Sequence, residues 1–192
     1  MIFQSVYKRI EKISSGSGVL ILFFLAHAVL LIMVLYTFPS INERMEGKAF
    51  DLRTFGYSFE EARFLVGNLD SRTTDLYIFP QLLLLDVLYP LLLALFLSSL
   101  IIRLFKLIGV PADSGYTNLY LLPFGAMMFD YLENAAIVHM IVDPGSLSSQ
   151  IVTLASSFTL LKSSLTLLSW ILILILCVRW LLLWFRKKRQ HV

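Results

Sequence analysis

The stretch from Gly18 to Pro39 contains no Asp, Glu, Lys or Arg. A helix of about 20 apolar residues matches the roughly 30 Å hydrocarbon layer of a bilayer. Three further runs share that character with interruptions. Asp86 breaks the run from about Tyr77 to Ile102, Asp130 and Glu133 that from about Asn118 to Val142, and Lys162 and Arg179 that from near Ile151 to Phe185. Hydrophobic residues make up 58% of the chain and its mean hydropathy is +0.79. Soluble domains carry about 45–50% apolar residues. The expected fold is therefore all-α: a polytopic membrane protein, with a four-transmembrane-helix bundle forming a single membrane domain over 1–192. Its expected spans are about 18–39, 77–102, 118–142 and 152–185.

Lys8, Arg9 and Lys12 precede the first run as they would in a signal peptide. The run is longer than the roughly 7–15 residues of such a segment, so an uncleaved signal anchor is expected. Basic residues also flank the loop between the second and third spans (Arg103, Lys106) and fill the C-terminus (Arg186 to Arg189). The segment from Asp143 to Gln150 has none. By the positive-inside rule both termini face the cytoplasm, in a multi-pass protein of the cell membrane.

The long connection from Ser40 to Leu76 contains a turn at Gly56-Tyr57, then Ser58 with Glu61 three residues later, a capping-box spacing. Phe59, Ala62, Leu65, Val66 and Leu69 follow at helical intervals. The spacing predicts a short amphipathic helix over 58–71 in this first extracytoplasmic loop, on the membrane surface or over the bundle mouth.

The charges inside the runs carry the functional reading. Counting from the run boundaries at about 1.5 Å per residue places Asp86, Asp130 and Lys162 roughly 13–18 Å below the outer surface. Glu133 lies one turn shallower than Asp130, and His27 falls near the middle of the first run. A charge at that depth costs about 2.5–3.5 kcal/mol on insertion scales, so such residues face inward and pair. Asp130, Glu133 and Asn134 share one helix face, as do Thr159, Lys162, Thr166 and Ser169. Pro90 has no N–H for the carbonyl of Asp86, four residues earlier, and Tyr89 lies beside it. With Asp86, Asp130 and Glu133 ionised, Lys162 charged and His27 neutral, the layer would carry a net charge of −2. A proton shared among the acids relieves that repulsion, and a carboxyl beside a carboxylate is the equipment for proton transfer. Asp86, Asp130 and Glu133 are the candidate catalytic carboxyls. His27, Tyr89, Asn134, Lys162 and Thr166 are the candidate ligand-binding groups.

Other chemistries find little support. Cys177 stands alone in an apolar run, which excludes an internal disulfide or a multi-cysteine metal site. No metal is expected, since no Glu-x-x-His or His-x-x-x-His pair occurs and Lys162 competes for the carboxylates. No glycine-rich phosphate loop is present, and no cofactor is identified. A net charge of +3 without a basic, aromatic-interleaved patch gives no support for nucleic-acid binding.

Asp86-x-x-Tyr89-Pro90 and Asp130-x-x-Glu133-Asn134, together with Gly56-Tyr57, resemble an uncharacterised family of small four-span membrane proteins to which no activity is assigned. The layout, with its long first loop, an acid in the second span and a basic tail, is loosely similar to the sterol-isomerase and sigma-2-receptor group. That similarity implies a hydrophobic small-molecule ligand. Three expectations of different class follow. The chain binds or acts on a lipid-like molecule of sterol, isoprenoid or quinone type. Or it is a proton- or cation-coupled transporter, which with four helices calls for a homodimer. Or it is a structural subunit of a membrane complex.

Overall fold

A computed structural model describes residues 2–189. Every element among them is helical. Helix α1 spans Ile2–Ile13 and ends one turn before α2, Gly16–Ile32. Ser15 makes that break, since its side chain caps α2 by accepting from the Gly18 amide at 3.1 Å. A π-turn, Met33–Thr37, joins α2 to α3, Phe38–Arg44. Helix α4 covers Phe59–Gly67 and α5 Ser71–Leu76. A π-helical stretch, Tyr77–Leu85, then leads into α6, Asp86–Leu107. Helix α7 spans Leu122–Val142 and α8 spans Ser149–Arg189.

Among the described residues three helices are long and apolar enough to cross a membrane: Gly16–Arg44, Ser71–Leu107 and Ser149–Arg189, of 29, 37 and 41 residues. At 1.5 Å per residue the last is roughly 60 Å long, about twice a hydrocarbon layer, so part of it lies beyond any bilayer it crosses. Helix α7 has 21 residues, with Asp130, Glu133 and Asn134 at its middle, and packs against both α6 and α8.

Several boundaries depart from the sequence expectation for identifiable reasons. The helix expected over 58–71 stops at Gly67, because Asp70 accepts from the Thr73 amide at 2.7 Å and starts α5 instead. The capping box at Ser58 and Glu61 is present in both directions. The second long helix begins at Ser71, six residues before Tyr77, and is interrupted at Phe79, whose extended backbone precedes a cis peptide to Pro80. The helix of the third expected run begins at Leu122, since Gly115–Leu121 forms a tighter 3-10 turn and Pro123 suits the first helical turn. Helix α1 went unforeseen. Its Tyr7 and Ile10 are buried against α6, and Glu11 pairs with Lys106 at 2.9 Å.

Within lipid the hydrophobic effect does not press helices together, so close approach depends on small residues and interhelical hydrogen bonds. The α7–α8 contact fits that rule. Across it Thr159 donates to Glu133, and a Cβ on Gly125 would stand 3.2 Å from a Leu165 methyl.

Two apolar cores lie along the bundle. The first, at the loop end, joins Met33, Phe38, Ile41 and Phe50 to Leu65, Tyr77, Leu82, Ile137, Met140 and Val152. The second, at the end carrying the termini, joins Tyr7, Ile10 and Val19 to Phe96, Ile101, Phe105, Tyr120 and Ile173. The loop is fastened to the bundle at Gly56 (φ +81°), where an added Cβ would sit 2.3 Å from Ser156 Oγ on α8. The next amide, of Tyr57, donates to that oxygen at 2.9 Å. Only glycine suits both the left-handed backbone and the close approach.

Candidate functional site

The charged layer is assembled from α6, α7, α8 and the loop. On α6, Pro90 leaves the carbonyl of Asp86 without its helical donor, and Asn134 Nδ2 of α7 supplies one at 3.1 Å. Tyr131 of α7 donates through its hydroxyl to the neighbouring Val87 carbonyl at 2.8 Å. These bonds fix the register of α7 on α6.

The i, i+3 spacing on α7 turns Asp130 and Glu133 toward α8. Lys162 Nζ lies 2.5 Å from Asp130 Oδ1 and 2.5 Å from Glu133 Oε2, one ammonium bridging two carboxylates. Thr159, one turn earlier on α8, donates to the other oxygen of Glu133 at 2.5 Å. The Glu133 side chain is wholly buried, and those of Asp130 and Lys162 are nearly so, at 11% and 15% exposure. Replacing such a pair by apolar residues is often neutral, whereas removing one partner costs about 3–5 kcal/mol. The Lys162 bridge thus holds α7 to α8 and consumes the cation.

The loop reaches into the same region. Phe50–Leu52 forms a single 3-10 turn that presents Asp51. Asp51 Oδ2 accepts from the Tyr77 hydroxyl at 2.7 Å, and that hydroxyl accepts from the Phe50 amide at 2.8 Å. Tyr57 enters beside Glu133. Its phenol is buried beside the Thr159 hydroxyl, and burial, reinforced by the Glu133 carboxylate, pushes it well above the usual tyrosine value. Gln81, also buried, accepts from Thr37 at 2.5 Å and joins the two π-helical stretches.

A cavity of about 410 Å³ adjoins these groups. Leu30, Met33, Leu93, Leu97, Met127, Leu167 and Trp170 give it apolar walls, and Asp51, Thr54, Asp86, Tyr89, Asp130, Lys162 and Thr166 make its polar side. Binding clefts for small molecules run to about 300–1,000 Å³, with mostly apolar walls and a few placed polar groups. Helix α2 packs along α6, whereas α8 packs on α7 and α6. The walls nonetheless include residues of both α2 and α8.

Of the residues singled out from sequence, Asp86, Asp130, Lys162, Tyr89 and Thr166 line this cavity. Glu133 lies behind Lys162, and Asn134 ties α7 to α6, with its Oδ1 unpartnered. His27 is not brought to the site. Its Nδ1 lies 2.8 Å from the Phe23 carbonyl, one turn back on its own helix, and its ring packs on Phe23 and Phe96. Depth alone had placed it in the layer, but its rotational position on α2 turns it away. Sequence reasoning missed Asp51, Thr54, Tyr77 and Gln81. Asp51 is one acid among many in a charged loop, and no spacing rule picks it out. Among the described residues no three His, Cys, Asp or Glu converge as a metal set.

Comparison of the chain with protein-family models, with curated proteins and with solved structures found no match.

Proposed function

We propose that the chain is a four-span integral membrane protein that binds, or acts on, a lipid-like small molecule whose polar end meets Asp86 and Asp130. The observation that carries this reading is the cavity: apolar side chains form most of its walls, and buried carboxyls that the bundle leaves incompletely partnered close one side. A molecule with an apolar body and a polar end matches that division. In this reading α7 is the fourth span, tolerated in lipid because its acids face Lys162 and not the acyl chains. Both termini then lie on one side, which the basic clusters assign to the cytoplasm. The short α4 sits over the loop-end mouth. In an enzymatic version one carboxyl donates a proton while a second accepts one, with Lys162 offsetting charge.

Native mass spectrometry of the purified full chain, released from detergent, tests the proposal. A retained small molecule that vanishes in a Leu93→Trp variant of normal thermal stability supports it, since the indole would fill the cavity. A wild-type protein that carries nothing and takes up no sterol, isoprenoid or quinone on incubation contradicts it.

A further inference from the structure

A second cavity lies at the end of the bundle that carries the termini, where α1, the link at Ser14 and Ser15, and α6 meet. It holds about 360 Å³, and Lys12, Arg103 and Lys106 all line it. Glu11 is the one acid among the lining residues, and it is spent on Lys106, at 2.9 Å. No carboxylate among the described residues pairs with Lys12 or Arg103. The position of Arg103 makes that costly, for it is half-buried. Its guanidinium stands against Gly16, where an added Cβ would lie 3.2 Å from Nη2. Gly16 opens α2, the end at which the aligned peptide dipoles already gather positive charge. Lys106, one turn away on α6, and Lys12, on α1, add to the same field.

A surplus of positive charge around a hollow calls for an anion with several acceptor oxygens. A guanidinium meets a phosphate through two parallel N–H donors, and an ammonium adds to it as a point charge. A phosphate group has oxygens for Arg103 and Lys12 together, whereas a single carboxylate is taken up by Arg103 alone. The surroundings supply a place for the rest of the ligand. Leu107 lines the cavity, and Leu20, Ile21 and Phe24, one to two turns further along α2, are exposed. On the four-span reading α2 runs from here into the hydrocarbon, so the cavity lies at headgroup depth with an apolar helix face leading away from it. Basic pockets between spans at that depth hold anionic headgroups. This inference needs α2 to span the membrane and is independent of what the cavity at Asp86 takes.

We propose that this cavity binds the phosphate of an anionic phospholipid, held by Arg103 and Lys12, with the acyl chains lying along α2. Dioleoylphosphatidylglycerol and dioleoylphosphatidylcholine are the probes. They share chains and phosphate, and the second carries a fixed cation that the basic cavity repels. Each is titrated into the delipidated full chain in neutral detergent, and bound lipid is counted by native mass spectrometry. The wild type is expected to hold the first phosphatidylglycerol about tenfold more tightly than phosphatidylcholine, the worth of a hydrogen bond between charged groups. Arg103→Gln is expected to cut that preference to about twofold. Lys12→Gln, at an exposed position, is expected to lower it in the same direction and serves alone if the first variant fails to fold. The double variant Arg186→Gln/Lys187→Gln removes two charges from the exposed end of α8 and is expected to leave the preference intact. An equal loss in that double variant would mean diffuse attraction to a basic surface, and would overturn the site. A wild type without preference, or a preference that survives both cavity variants, overturns it too. Excess inorganic phosphate separates the two sources of the anion. Phosphatidylglycerol that stays bound supports a lipid site, and its displacement contradicts the lipid assignment in favour of free phosphate.

Discussion

At the terminal end of the bundle Ser98 and Ser169 are fully buried, yet each hydroxyl has a carbonyl to donate to, Tyr120 and Leu165, both at 2.7 Å. At the loop end Asp51, Asp86 and Asp130 each keep an oxygen that no N–H or hydroxyl of the bundle reaches, and the Asp51 and Asp86 carboxyls lie within hydrogen-bond distance of each other. The terminal half also buries Ser14 and Thr117, each donating to a backbone carbonyl, and Ser99, whose Oγ is the exception without a partner; rings and branched chains fill most of the rest. Phe96 lies 5.4 Å from Phe23 and 6.2 Å from Trp170, and Tyr7 lies 5.6 Å from Tyr120, all between ring centroids. Polar groups satisfied in place need no explanation beyond packing. On the proposed small-molecule reading, carboxyls left incomplete, in a setting where an unpaired charge is expensive, await a partner that comes and goes. On that reading the contrast separates a half that supplies stability from one that gives some up for binding.

The largest effect that would sharpen this contrast is expected in the terminal half. Phe96→Ala should cost about 3–5 kcal/mol of stability, measured by thermal unfolding in detergent, because it opens the aromatic cluster. Lys162→Met should cost about the same for a different reason, since it strands two buried carboxylates. Adding Asp130→Asn and Glu133→Gln to it should restore most of the loss. A triple variant as unstable as the single one would show that Lys162 matters by packing alone.

The loop's attachment gives the next effect. Gly56→Ala combines a left-handed backbone with a 2.3 Å approach to Ser156 Oγ, and should cost about 2–3 kcal/mol. Ser156→Gly in the same chain should recover part of it. Thermal scans of the single and double variants check this, and additive losses would dissociate Gly56 from α8.

A smaller effect concerns the α4 cap. Ser58→Ala should cost about 1 kcal/mol, read by hydrogen exchange of the α4 amides. Protonation should weaken the same turn. The Ser58 amide first, and then Arg53, hold the exposed Glu61 carboxyl below its usual 4.5. A carboxyl whose value is lowered on folding contributes stability that is full above the unfolded value and is lost as the pH falls through the folded one. The protection of the α4 amides, taken relative to the free-peptide exchange rate at each pH, should therefore fall below about pH 4.5 in the wild type and change less in Glu61→Gln. The solvent around Glu61 keeps this effect small.

These comparisons also show which parts of the molecule sequence could reveal. A charge in an apolar run is conspicuous because lipid makes it expensive, so Asp86, Asp130, Glu133 and Lys162 were legible, and helical spacing gave the shared face of Asp130 with Glu133. The Asp86 carbonyl freed by Pro90 was legible for the same kind of reason, as a missing backbone donor. Asp51 was not, because a loop acid is ordinarily solvated and only tertiary contact buries it. His27 misled because depth along a helix says nothing of which way the residue turns. Helix α1 read as a basic flank, although Tyr7, Ile10 and Ile13 already follow helical spacing. The break between α4 and α5 was written in Asp70, whose capping role competes with the apolar periodicity running up to Leu69.

The most direct test is the stability of Asp86→Asn, measured by thermal unfolding of the full chain after delipidation. If Asp86 is held in place for a ligand, the amide should leave the empty protein as stable as the wild type or about 1 kcal/mol more so, since a neutral group is less costly to bury. A loss of several kcal/mol would mean that the carboxylate is part of what holds the bundle together, and the division between the two halves would not stand.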